Sequence, residues 1–153
     1  MSPELVLTVA QRAFLEAARR AVLATISPDG RPRLVPICFS LDLARTILYT
    51  PLDDKPKRSG DPLALARVRD METDPAVTVL VDRWDEDWSR LAWLRIDGRA
   101  ALVPPSADRP EHAAAIAALR HRYPQYASHG LEMRPLIRIE VERVVDWGPL
   151  VET

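Results

Sequence analysis

Two β-rich runs, Ala21-Val22-Leu23-Ala24-Thr25-Ile26 and Leu34-Val35-Pro36-Ile37-Cys38-Phe39, flank Ser27-Pro28-Asp29-Gly30-Arg31-Pro32. Proline presets a turn dihedral, aspartate bonds nearby backbone, and glycine accepts a left-handed conformation. Pro-Asp-Gly between two such runs therefore predicts a hairpin. A hairpin commits its strands to antiparallel pairing, which narrows the fold more than any other feature of the chain. Pro36 has no N–H to give to a ladder, so it belongs at an edge, at a bulge or where something else approaches.

The rest of the chain extends that sheet. Ser2-Pro3-Glu4 has the make-up of a helix start, and Leu5, Val9, Phe14 and Ala17 recur at roughly helical spacing, which predicts a helix from about Pro3 to Arg20. Thr46 to Thr50 is a third strand. Asp61-Pro62 opens a helix that runs to Thr73 and stops at Asp74-Pro75. Ala76 to Val81 is a fourth strand, apolar almost throughout and so expected to be buried on both faces. A fifth strand covers Leu91 to Val103, with a bulge expected at Gly98. Pro110 to Tyr123 is a third helix, and Leu136 to Glu142 alternates as a sixth strand. Short consecutive strands with tight turns and few helices predict a mainly β, α+β architecture. The expected form is a six-stranded antiparallel split barrel with flanking helices, one domain over 1–153.

Composition removes several classes of function. Among 153 residues, 21 Lys and Arg stand against 22 Asp and Glu, a net charge of −1 that does not suit a general nucleic-acid binder. A single cysteine, Cys38, cannot form an internal disulfide, which fits a reducing cytoplasm. No apolar stretch approaches the length of a membrane span. His112, His121 and His129 are expected at the surface, and no Cys/His spacing suggests a metal site. No Ser/His/Asp or Cys/His set is legible, which disfavours a nucleophile enzyme.

Two stretches could carry chemistry. Between the third strand and the second helix stands Lys55-Pro56-Lys57-Arg58. From Lys55 to Arg69, five cations face Asp61 alone, a local excess of +4. Unpaired N–H groups at a helix start add to such a site, so the segment suits a phosphate. Charge-assisted bonds contribute about 1.5–3 kcal/mol each, so two or three hold a phosphate only loosely. A ligand here should also bury something flat or apolar. The second stretch is Asp87-Trp88-Ser89-Arg90-Leu91-Ala92-Trp93-Leu94-Arg95. On a strand, Ala92, Leu94 and Ile96 share a core face, and Trp93, Arg95 and Asp97 share the other, which should meet a partner chain or a ligand edge.

With these residues in view, the chain resembles the pyridoxamine-phosphate-oxidase-like split-barrel flavoproteins, and within them the branch that uses the deazaflavin coenzyme F420. The likeness is carried by Ala24 to Pro32, Val35-Pro36, Lys55-Pro56-Lys57, the helix ending at Asp74-Pro75, and Asp87 to Arg95. The resemblance implies a homodimer with two interface cofactor sites. It implies that Lys55, Lys57 and Arg58 hold the cofactor phosphate, that Tyr49 and Thr50 contact the ring or ribityl chain, and that Val35, Pro36 and Ile37 line the ring. Trp88 and Trp93 would come from the partner subunit. It also implies hydride transfer between the reduced deazaflavin and a small organic acceptor. The segment Asp146-Trp147-Gly148-Pro149-Leu150, near the last residue, lacks the Trp- and Arg-rich substrate motif of the vitamin B6 oxidase itself. FMN in place of the deazaflavin, and a dimeric cofactor-binding protein without turnover, are the alternatives.

Overall fold

The computed structural model describes residues 5–52, 65–105 and 110–151. The first helix, α1 (Val9–Ala17), is shorter than its apolar spacing predicts. Thr8 is the reason: its hydroxyl accepts from Gln11 N–H at 3.1 Å and the Gln11 side chain accepts from Thr8 N–H at 2.9 Å. That reciprocal cap starts the helix at Val9.

The hairpin forms as β1 (Ala21–Ile26) and β2 (Pro32–Ile37), with Gly30 at φ +85°. Gly30 N–H donates to Ser27 O at 2.8 Å, and Ser27 N–H to Arg31 O at 2.9 Å. The Ser27 hydroxyl donates to Asp29, holding that exposed carboxylate below its ordinary range. A strand absent from the expectation follows: β3 (Ser40–Asp42), three residues paired with β4 (Ile47–Pro51). Three residues are too few to show an alternating pattern, so the run reads as a turn from sequence. Among the described residues the sheet has seven strands, not six.

Helix α2 (Ala66–Thr73) leads into β5 (Ala76–Arg83) and β6 (Ala92–Val103). Helix α3 (Pro110–Arg122) and two short 3-10 turns precede β7 (Leu136–Trp147), which is longer than its regular alternation indicates. All pairings are antiparallel, in the order β2-β1-β5-β6-β7-β4-β3.

The sheet curls around one core. Leu23 of β1, Val79 of β5, Ile96 of β6, Ile139 of β7 and Leu48 of β4 belong to a single buried cluster. Burying each such side chain contributes about 1.5–3 kcal/mol. A second cluster, with Ile47, Tyr49, Ile116 and Leu136, lies where α3 covers the other side of β4 and β7. Burial on both faces thus falls on β4, every residue of which is buried, and not on β5, where Ala76 and Leu80 are exposed. Helix α3 supplies the difference, because it packs on β4 and leaves β5 open.

The expected bulge is present between Asp97 and Gly98. A Cβ at Gly98 would stand 2.4 Å from Glu140 O, so only glycine lets β6 and β7 approach there. At the other end, one side chain fastens α3 to α1. Arg122 donates to Glu16 O and Leu15 O at 3.0 Å each and to Ala18 O, the carbonyls that α1 leaves unpaired at its end. Among the described residues no helix is long and apolar enough to cross a membrane.

Candidate functional site

Strand β2 lies at one edge of the sheet and pairs with β1 alone, which is where a proline without an N–H is tolerated. Successive residues of β2 point to opposite faces. Ile37 is buried in the barrel core and Val35 packs against it, while Pro36 and Leu34 face outward, Leu34 at 67% exposure. Register extends this outer face inward: Val22 lies opposite both Pro36 and Leu80, and Leu80 lies opposite Arg95. The result is an apolar row, Pro36–Val22–Leu80, ending at a cation. The neighbouring row holds Leu34, Ala24, Thr78 and Asp97, with the Thr78 hydroxyl donating to Asp97 at 2.9 Å.

Trp93 and Arg95 share that outer face, and the Arg95 guanidinium carbon sits 5.4 Å from the Trp93 ring centroid. Trp147 pairs with Trp93 across the β6–β7 ladder. Trp88 opens the 3-10 turn Trp88–Arg90 and is 70% exposed. Asp87 caps that turn by accepting from Ser89 N–H at 3.1 Å and from its hydroxyl at 2.6 Å, which keeps Asp87 below its ordinary pKa. The face split expected for β6 holds: Ala92, Leu94 and Ile96 are buried in the core.

Tyr49 and Thr50 are both buried but stand on opposite faces of β4. Tyr49 belongs to the cluster beneath α3. Its hydroxyl donates to Glu111 Oε2 at 2.9 Å and accepts from Arg45 Nη2 at 2.5 Å. Burial, then the bond to Glu111, pushes the phenol up to about 12. Burial also pushes the Glu111 carboxyl upward, but donors from Arg45, Tyr49 and Arg138 outweigh it and hold the group below its ordinary value. Tyr49 and Thr50 are therefore brought to two different places. Lys55, Lys57 and Arg58 lie outside the described residues.

Sequence reasoning missed three polar groups. Asp70 of α2 is 1% exposed and accepts from Thr25 Oγ1 and Arg33 Nε, each at 2.8 Å, tying α2 to β1 and β2. Its partners lie 45 and 37 residues away, so no local pattern marks it. Glu111 gathers Arg45, Tyr49 and Arg138 from three elements. His112, expected at the surface, is buried, with Nε2 2.7 Å from Arg134 O. That carbonyl gives its ring a partner, which is what lets it sit inside.

Among the described residues no group of three His, Cys, Asp or Glu side chains could hold a metal ion. Many solved structures share the fold, three of them as follows. HutZ, a heme storage protein of Vibrio cholerae, is 17% identical with a TM-score of 0.67, covering 94% of this chain and 95% of its own. A FAD-binding protein of Mesorhizobium loti is 24% identical with a TM-score of 0.62 and 92% of both chains covered. A protein named F420 reductase is 21% identical with a TM-score of 0.60, over 88% of this chain and 94% of its own. The family described as pyridoxamine 5'-phosphate oxidase matches residues 7–148. That match spans nearly the whole chain, so the protein belongs to the pyridoxamine 5'-phosphate oxidase family.

Proposed function

We propose that the protein is a homodimeric oxidoreductase that binds coenzyme F420 and passes a hydride between it and a small organic acceptor. The observation that carries this is the uncovered apolar row Pro36–Val22–Leu80 on the outer sheet face, in a family of flavin-type proteins. A flat ring fits there, because that row presents no charge until Arg95. The phosphate would fall to Lys55, Lys57 and Arg58, in the segment that links β4 to α2. When bound, the deazaflavin supplies the hydride-carrying carbon. The chain's own work is to hold the ring, keep water from it and fix its edge with polar groups.

A second chain is part of the proposal. Pro36 on β2 and Trp93 on β6 lie three strand spacings apart, roughly 14 Å at about 4.8 Å each. One ring on Pro36 cannot reach Trp93 of the same chain across that width. In this proposal Trp88 and Trp93 close the site from a partner subunit, and the same contact covers Leu34.

Titration with coenzyme F420 and with FMN, followed by tryptophan fluorescence, tests the cofactor. Saturable binding of F420 is expected. Tight FMN binding with no response to F420 would transfer the proposal to FMN. Lys55→Ala with Lys57→Ala should weaken cofactor binding by about 2–5 kcal/mol and leave the circular dichroism spectrum unchanged. Unchanged affinity would remove the phosphate assignment. A reduced, bound cofactor that yields no hydride to a broad acceptor panel would favour a carrier.

A further inference from the structure

We infer that Arg95 crosses the subunit contact together with Trp93 and selects the reduced, more negative form of the cofactor. The inference rests on the proposed cofactor site. Arg95 is exposed, and its guanidinium carbon lies over the Trp93 ring, 5.4 Å from the centroid. Leu80 stands opposite it on β5 and Val145 on β7. Arg95 is thus a cation set among apolar neighbours. Arg33, Arg45, Arg120 and Arg138 each hold a carboxylate. Among the described residues no carboxylate is bonded to Arg95. Asp97, two residues along on the same face, already accepts from the Thr78 hydroxyl.

A cation without a partner is costly once it is covered. In a single chain water serves Arg95, but the proposed contact closes this face and removes that water. The contact therefore has to bring an anion with it. For a ring on Pro36 of its own chain Arg95 is badly placed. Strand β6 is three strands from β2, and the guanidinium rests on Trp93, a residue of the next row. Stacking joins the two side chains, so a Trp93 that closes the site from a partner subunit carries Arg95 with it. A guanidinium flat against an aromatic ring keeps its N–H edge for an acceptor. Gain of a hydride adds one negative charge to the cofactor ring, and a fixed cation at the ring edge holds that charge. Loss of the hydride to the acceptor removes the charge and loosens the oxidised cofactor. The site thus takes up the reduced form and releases the oxidised one, which suits reduction of the acceptor.

Equilibrium dialysis of the full-length protein against oxidised F420, and anaerobically against reduced F420, tests this. The parent should bind the reduced form about tenfold more tightly, Arg95→Gln should bind the two forms alike, and Arg95→Lys should keep part of the preference. Mixed dimers decide which chain supplies the arginine. One chain carries Arg95→Gln, and the other carries Lys55→Ala with Lys57→Ala, so that its own site does not hold the cofactor. If Arg95 crosses the contact, the first chain's lysines and the second chain's Arg95 complete one site with the full preference. If Arg95 serves its own chain, no site is complete and the preference is missing. A parent protein that binds neither form would overturn the cofactor reading and the inference with it. Equal affinity of the parent for both forms would overturn the inference alone. So would an Arg95→Gln variant that keeps the preference or turns monomeric, or a mixed dimer that lacks the preference.

Discussion

Removing Arg33 should cost more than its position suggests, and removing its partner as well should cost no more. Asp70 is buried with two donors, Thr25 Oγ1 and Arg33 Nε, both at 2.8 Å, while the Arg33 side chain is 46% exposed. Arg33→Ala leaves a buried carboxylate with one neutral donor. Breaking a fully buried ion pair costs about 3–5 kcal/mol, and the exposure of Arg33 reduces this to about 2–3 kcal/mol. Asp70→Ala frees Arg33 into solvent and strands only the Thr25 hydroxyl, about 2 kcal/mol. The double variant strands the same hydroxyl and no charge, so it too should cost about 2 kcal/mol. The coupling energy is then about 2–3 kcal/mol, and Arg33→Ala should melt roughly 5–10 °C below the parent. Urea denaturation at one fixed protomer concentration measures all four corners of the cycle. Additive single costs, or an Arg33→Ala variant within about 0.5 kcal/mol of the parent, would show that Arg33 does not neutralise Asp70 and would refute the reasoning.

Gly98→Ala should destabilise by about 1–3 kcal/mol in the same assay, because its Cβ would meet Glu140 O at 2.4 Å and Ile139 Cγ2 at 2.8 Å. Stability should also respond to alkali through Tyr49. Its folded pKa of about 12 lies above its ordinary value of 10.0, so its contribution is full below pH 10 and is lost as pH rises toward 12. Tyr49→Phe should flatten that part of the stability–pH curve, and an unchanged slope would place the titration elsewhere. Glu111 acts at the other end. Its pKa is depressed from 4.5, so its contribution is present above pH 4.5 and falls away below it, and Glu111→Gln should lose that acid dependence.

Local chemistry was legible and distant pairing was not. Pro-Asp-Gly announced the hairpin, and β1 occupies the expected residues because its turn residues act within a few positions. Gly98 announced the bulge for the same reason. The β6 alternation placed its core face correctly from Ala92 to Ile96, since these residues precede the bulge. The α1 start was misplaced because Ser2-Pro3-Glu4 has the composition of a helix start, whereas the reciprocal Thr8–Gln11 bonds, which that composition does not reveal, set the start at Val9. The double burial of β4 depends on α3, whose seat no local pattern encodes. In the candidate site, Pro36 was legible through its missing N–H. Asp70 and Glu111 were not, because a polar residue gives no sign in sequence of the partner that buries it.

The contact from Arg122 to the end of α1 has a consequence for the order of events during synthesis. Alone, a nine-residue helix is marginal in water. The groups that finish this one arrive from a residue 106 positions downstream of Glu16. The β1–β2 hairpin has both its strands once Ile37 leaves the ribosome, but α1, made earlier, must wait for α3. The first helix in the chain is thus expected to be among the last to become stable, and its amides should exchange with solvent until residue 122 has been added and docked.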